Sequence, residues 1–259
     1  MGTLSVIIPC LDDAAFLSAC LEALGRQSRR ADEVIVVDNG SSDDSVAVAE
    51  AAGVRVIREP RRGIWAATAA GFDAATGDLL ARLDTDSVPP ADWLERLERR
   101  MSADDRPTIV TGPGDFYGGT APKRWLARHV YLGLYFWGLG IVLGHKPVFG
   151  SNYGMRADAW PELRTVVHRD RADLHDDFDL AWCLRPGMSV VYERTLIVGV
   201  SARPLETMGT LGRRVGMGFH TLGFEWREWP PLDRLQERRV GRVETAPDPS
   251  PEGDSPQPV

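Results

Sequence analysis

An alternation running through the first hundred residues constrains the fold most. Three short β-branched runs, "LSVIIP" (4–9), "EVIVVD" (33–38) and "VRVIRE" (54–59), and a fourth apolar run, "DLLARLD" (78–84), each lead into a segment of helical pattern. Short apolar runs of this kind suit strands buried on both faces. After the first run, Phe16, Leu17, Cys20, Leu21 and Leu24 share one helical face, with Asp12 or Asp13 as the N-cap. "GSSDDSVAVAEAA" opens a second helix and "GIWAATAAGFDAATG" a third. Strands alternating with helices are βαβ units, so the expected fold is α/β, a mostly parallel central sheet flanked by helices. Such sheets bind ligands beyond the carboxyl ends of their strands. Pro9, Asp38, Glu59 and Asp84 fall at those ends.

Composition narrows the function classes. The 259 residues carry a net charge of −7, against a general nucleic-acid binder, which would be basic. Cys10, Cys20 and Cys183 are scattered, without a CxxC pair, so they read as buried thiols in a reducing cytoplasm. "MGTLSVIIPC" enters an apolar strand without a basic n-region, so no signal peptide is expected. No GxGxxG follows a strand, which disfavours a dinucleotide oxidoreductase. From about 233 onward Pro, Glu, Asp and Ser dominate, ending "APDPSPEGDSPQPV", the composition of a disordered tail over 233–259.

The segment "LDTDSVPP" closes the fourth strand with Asp84 and Asp86 one residue apart. Two carboxylates that close repel, and three arrangements offset the cost. The pair can cap a turn by accepting backbone N–H groups. An EF-hand loop would need an oxygen donor and a glycine where Val88 and Pro89 stand. A hard-cation site remains: Mg²⁺ or Mn²⁺ between the carboxylates, with a substrate diphosphate completing the octahedron. The position at the sheet edge favours this last arrangement.

Five segments in order, "SVIIPCLDDAAFLSACLEAL", "EVIVVDNGSSDDS", "ATGDLLARLDTDSVPP", "FGSNYGMR" and "HDDFDLAWCLRPG", resemble the successive motifs of glycosyltransferase family 2 over roughly residues 3–193. The resemblance implies a GT-A fold, a nucleoside-diphosphate-sugar donor, a divalent metal at the Asp-x-Asp pair and transfer with inversion to an acceptor hydroxyl. It implies one catalytic domain over 1–232, with a nucleotide-binding half to about 105 and an acceptor half from 106. Pro9, Asp12 or Asp13, and Asp38 would line the nucleotide pocket, Asp84 would sit by the ribose and diphosphate, and Asp86 would ligate the metal. Where the family has "ARN" in its third helix this chain has Ala67, Thr68 and Ala69, so Arg61 or Arg62 would replace a donor-contacting Arg. "HDDFDL" aligns with the family's Glu-Asp-x-Asp-Leu segment and puts Asp177 at the general base, with Asp176 its nearest rival. An inverting transfer is one displacement and needs a single proton acceptor. Without the resemblance, Asp176, Asp177 and Asp179 are equally first-turn acids at a helix N-terminus.

His220 in "GRRVGMGFHTLG" is a candidate third metal ligand, because some GT-A enzymes complete the metal shell with a late His. Arg213 and Arg214 beside it suit a departing diphosphate. The uncharged window 129–145 is too short for a transmembrane helix, which needs ~20 apolar residues. It is either a core helix or a membrane-surface helix over residues 125–146. The second reading puts a peripheral enzyme at the inner face of the plasma membrane, beside a glycan or lipid-linked acceptor in cell-envelope synthesis. Two alternatives of other classes are a noncatalytic nucleotide-sugar-binding protein and a nucleotidyltransferase. The acidic cluster at 176–179 argues against the first. "PCLDD", in place of a Gly-rich basic loop, argues against the second.

Overall fold

The computed structural model describes residues 2–120, 124–125, 133, 135–203 and 208–244. Its first part follows the expected alternation: β1 (Leu4–Cys10), α1 (Ala14–Gly25), β2 (Glu33–Asp38), α2 (Ser45–Ala51), β3 (Arg55–Arg58), α3 (Ile64–Ala74) and β4 (Leu79–Arg82). β1 is buried throughout because it pairs in parallel with β2 on one side and β4 on the other. Its side chains alternate between two cores. Leu4, Val6, Ile8 and Cys10 meet Leu17 and Cys20 of α1 and Trp93 and Leu97 of α4 (Trp93–Met101). Ile7 faces Trp65 and Phe72 of α3 on the opposite side. Gly71 permits that approach, since a Cβ there would run into the Ile7 side chain. All three cysteines are buried and free.

After β4 come β5 (Ser87–Val88), α4, β6 (Ile109–Thr111) and β7 (Gly114–Tyr117). A π-helical turn, Tyr135–Leu139, then leads into α5 (Gly140–Leu143), β8 (Tyr153–Arg156) and α6 (Trp160–Leu163). The last elements are α7 (Asp176–Cys183), β9 (Val190–Tyr192), β10 (Val198–Ser201), α8 (Met208–Glu228) and α9 (Pro231–Glu244). The large sheet runs β3-β2-β1-β4-β8-β6-β9, and the small one β5-β10-β7. β8 lies antiparallel to β4 and β6, while the other pairs of the large sheet are parallel. Two consequences position the site. The antiparallel step sets the start of β8 beside the end of β4. The β5–β10 pairing brings the end of β10 back over Asp86.

One expectation differs from the structure. Residues 233–244 continue in α9 instead of beginning a disordered tail, while 245–259 lie outside the described residues. Arg234 explains the helix. It is fully buried, and its guanidinium donates to the carbonyls of Ala181, Trp182 and Leu143, where α7 and α5 end. Helix C-termini leave such carbonyls unpaired and favour a cation.

The apolar window is neither wholly core nor wholly surface. Of its residues, 129–132 and 134 lie outside the described set, as does the side chain of Tyr135. Phe136 packs edge-on against Tyr192 and Phe149, and Leu143 is buried. Trp137 and Ile141, four residues apart, are 69% and 61% exposed. Among the described residues, no helix is long and apolar enough to cross a membrane.

Candidate active site

The chain leaving β4 reaches a cleft of about 350 Å³ with Asp84, Thr85 and Asp86 on its wall. That volume falls in the range of small-molecule sites. Pro9, Cys10 and Leu11 from the end of β1, Asp13, Asn39, Arg62 and Ala67 complete the near side, and Arg203 and Arg214 the far side. Asp84 accepts a hydrogen bond from the Ser151 hydroxyl through Oδ2, and its Oδ1 lies 2.9 Å from Arg82 Nη2. Asp86 is 14% exposed, with Arg203 Nη2 at 3.4 Å. Burial, reinforced by the charge of Asp84, pushes the Asp86 carboxyl up to about 6. Arg203 is itself held by two bonds to Asp13, at 2.8 and 2.9 Å, and lies 3.7 Å above the Phe16 ring.

Arg82 ties the two acidic clusters together. It shares a face of β4 with Leu80, is 1% exposed, and reaches Asp84 at 2.9 Å and Asp176 at 3.0 Å through the same Nη2. Burial alone would lower its pKa; Asp176 and Asp84 outweigh that and keep the guanidinium charged. Asp176 also accepts from the Thr68 hydroxyl at 3.2 Å, and burial raises its pKa despite Arg82. Asp177 is half-buried, and its Oδ2 accepts the Gly150 N–H at 2.9 Å. Gly150 must be glycine, because a Cβ would collide with the Arg82 guanidinium and crowd Asp177. Asp179 faces away from the cleft, taking the Trp65 indole N–H and the His168 backbone N–H on Oδ2.

The residues expected at the site divide accordingly. Pro9, Arg62, Asp84, Asp86 and Arg214 line the cleft, and Asp176 and Asp177 are joined to it through Arg82 and Gly150. Three of the candidates are not among the residues that line the cleft. Asp13, not Asp12, stands on the cleft wall; Asp12 has a φ of 50° and accepts the Ser42 N–H at 2.6 Å, which makes it a turn residue. Asp38 is buried and accepts the Ser41 N–H at 2.8 Å, and its neighbour Asn39 lines the cleft instead. His220 is exposed, lies 2.7 Å from Asp173, and is not among the lining residues. Arg61 is taken up by Glu59 and Asp170, leaving Arg62 as the basic residue ahead of α3 on the cleft. Sequence reasoning missed Arg82, Thr68, Gly150 and Arg203. Only Arg82 gave a signal: a charge inside a strand buried on both faces needs a buried counter-charge.

The model of the family described as Glycosyl transferase family 2 matches residues 5–161. The chain is 34% identical over 132 residues to glycosyltransferase AglE of Haloferax volcanii, covering 47% of this chain and 43% of that protein. It is 36% identical over 115 residues to a PGL/p-HBAD biosynthesis glycosyltransferase of Mycobacterium tuberculosis, covering 42% of this chain and 45% of the other. The match thus spans less than half the length of these relatives. Among solved structures, the mannosyltransferase PcManGT from Pyrobaculum calidifontis, in complex with GDP-Man and Mn²⁺, superposes with a TM-score of 0.62 at 16% identity, over 96% of this chain and 66% of that one. Glucosyl-3-phosphoglycerate synthase from M. tuberculosis, in complex with Mn²⁺ and UDP-glucose, gives 0.55 at 24%, over 86% and 79%. At these identities the likeness is one of fold, and that fold is GT-A.

Proposed function

The chain belongs to glycosyl transferase family 2, and from that premise we propose that its cleft carries a metal-dependent, inverting transfer of a sugar from a nucleoside diphosphate to an acceptor hydroxyl. The observation that supports this reading is the Arg82 bridge, which joins Asp84 of the carboxylate pair to Asp176, the neighbour of Asp177, at one sheet edge. The residues fit a divalent ion: Asp84 and Asp86 are hard oxygen donors on the cleft wall, and Asp86 is buried enough that its charge needs a cation beside it. Mg²⁺ or Mn²⁺ held there supplies charge stabilisation for the departing diphosphate. Two relatives in fold are bound to Mn²⁺ with GDP-Man or UDP-glucose, which supports both the ion and the donor class.

The chain's own groups have distinct tasks. Pro9 and Asn39 bound the nucleotide end, and Arg62, Arg203 and Arg214 face the diphosphate with guanidinium groups suited to phosphate oxygens. Asp177 is the base. It is half-buried and oriented by the Gly150 N–H, whereas Asp176 is committed to Arg82 and Thr68. Asp176 and Arg82 are positioning residues. The acceptor is a glycan or lipid-linked hydroxyl, and the exposed Trp137 and Ile141 support work at a membrane surface, peripheral to the cytoplasmic leaflet.

The test is a panel of nucleotide sugars scored for metal-dependent hydrolysis and thermal stabilisation. A bound donor at 100 times its dissociation constant should add ~2.7 kcal/mol. Asp86→Ala should lose metal-dependent donor binding and keep its cooperative melt. Full activity of that variant, or of the wild type in excess chelator, removes the metal from the mechanism.

A further inference from the structure

We propose a second metal site, of the structural zinc type, where His168, Asp179, Cys183 and Glu225 meet between α7 and α8. None of the four lines the cleft. Their donor atoms, one nitrogen, one sulfur and two carboxylate oxygens, lie within 4.8 Å of one another. Asp179, Cys183 and Glu225 are buried, and His168 is the partly exposed member through which an ion can enter. This donor set suits Zn²⁺ and not Mg²⁺, which takes oxygen ligands.

The spacing fits. Tetrahedral zinc with bonds of about 2.0–2.3 Å has donor–donor edges of roughly 3.3–3.8 Å. Glu225 Oε1 lies 3.6 Å from His168 Nδ1, and Cys183 Sγ lies 3.8 Å from Asp179 Oδ1. The 2.6 Å separation of His168 Nδ1 from Asp179 Oδ1 is a direct hydrogen bond, and an ion replacing the proton would open it by roughly 0.7 Å.

A separate observation points to a ligand. Glu225 Oε1 is buried, faces this cluster, and has no hydrogen-bond partner. A buried carboxylate oxygen without a hydrogen bond is costly even with the His168 ring 3.6 Å away, and a cation at the centre of the cluster would satisfy it. The surroundings are those of a supported ligand set. Asp179 spends Oδ2 on the Trp65 indole and the His168 N–H and turns Oδ1 toward the cluster, while Phe224 packs edge-on against the His168 ring at 4.8 Å. Groups bonded behind a ligand in this way fix its orientation.

The site also accounts for an oddity of α8. Among its described side chains, the two that are buried are polar, Thr221 and Glu225, one turn apart. Thr221 accepts the His175 N–H at 3.0 Å, and Glu225 enters the cluster. An ion there staples α8 to α7 and to the segment carrying His168. Since α8 brings Arg214 to the cleft, the staple fixes that wall. Four protein ligands leave no open position, so the role is structural.

The experiment uses the full chain, stripped with chelator and titrated with Co²⁺ and then Zn²⁺. One equivalent of Co²⁺ should give a thiolate-to-metal absorption band that Zn²⁺ abolishes. The band should persist in Asp86→Ala, which removes the cleft site, and vanish in Cys183→Ser. Zn²⁺ at a hundredfold excess over its dissociation constant should raise Tm by roughly 5–10 °C in the wild type and in Asp86→Ala, but not in Cys183→Ser. Should Cys183→Ser fail to fold, Glu225→Gln serves instead, with Co²⁺ affinity expected to drop at least about tenfold for one lost ligand. No thiolate band and no Tm rise would mean that protons alone hold the cluster, which overturns the proposal. A band surviving in Cys183→Ser, or unchanged affinity in Glu225→Gln, overturns it equally.

Discussion

Asp176 and Asp177 are adjacent in sequence and differ in what they are free to do. Asp176 is closed in by Arg82 and Thr68; Asp177 is half-buried and accepts the Gly150 N–H. Asp177→Asn keeps the shape and removes the basicity, so kcat should fall by about 10²–10⁴ with little change in donor KM. Asp176→Asn should act through Arg82, lowering stability as well as turnover. Near-normal turnover in Asp177→Asn with a dead Asp176→Asn would shift the base by one residue. Arg82→Met should cost about 3–5 kcal/mol in urea unfolding, because it leaves Asp176 charged, buried and unpaired. Adding Asp176→Asn to it should recover part of that loss. An Arg82→Met protein as stable as the wild type would show that the bridge is dispensable. Asp84 and Asp86 were legible from sequence because a carboxylate pair at a strand end is a local pattern. Arg203 was not: its partners Asp13 and Asp86 lie 190 and 117 residues away, and only the β5–β10 pairing brings them together.

The elements of the first hundred residues were legible because β1 and β4 are buried on both faces and so declare themselves by apolar content, and β2 and β3 by their β-branched runs. The later ones follow other rules. β8 pairs antiparallel within the sheet and is only four residues long. α9 looks like a charged tail because its anchoring residue is an arginine. Its helical face is decided by carbonyls on α5 and α7, which no window around Arg234 contains. Arg234→Ala should therefore destabilise the domain by about 2–4 kcal/mol, by stranding buried carbonyl acceptors. The measurement is denaturant unfolding of the full chain, with the neighbouring exposed Asp233→Ala as control. Equal midpoints for the two variants would make α9 an ornament rather than part of the domain.

At the scale of the whole molecule, most of the exposed large apolar side chains among the described residues fall on two helical stretches. Trp137 and Ile141 stand on one face at four-residue spacing, with Lys146 exposed a few residues on. On α8, Phe219 and Trp226 are seven residues apart, hence on one face, at 71% and 51% exposure, with Arg213, Arg214 and Arg227 exposed along the same helix. Aromatic residues beside arginines are the pattern of helices that lie in the headgroup region of an anionic bilayer. Inserting one such side chain is worth about 1.5–3 kcal/mol, so a pair should matter by at least tenfold in partitioning. Trp137→Ser with Ile141→Ser, and separately Phe219→Ser with Trp226→Ser, should each weaken sedimentation with anionic vesicles by that factor or more. Tm should hold, since these groups support no core; Phe136→Ser, which removes a ring packed on Tyr192 and Phe149, should lower it. Raising the salt concentration should weaken the wild type through its arginines. If both double variants sediment like the wild type, or if neutral vesicles bind as well as anionic ones, these faces do not dock the enzyme on a charged membrane, and its acceptor must be sought in solution.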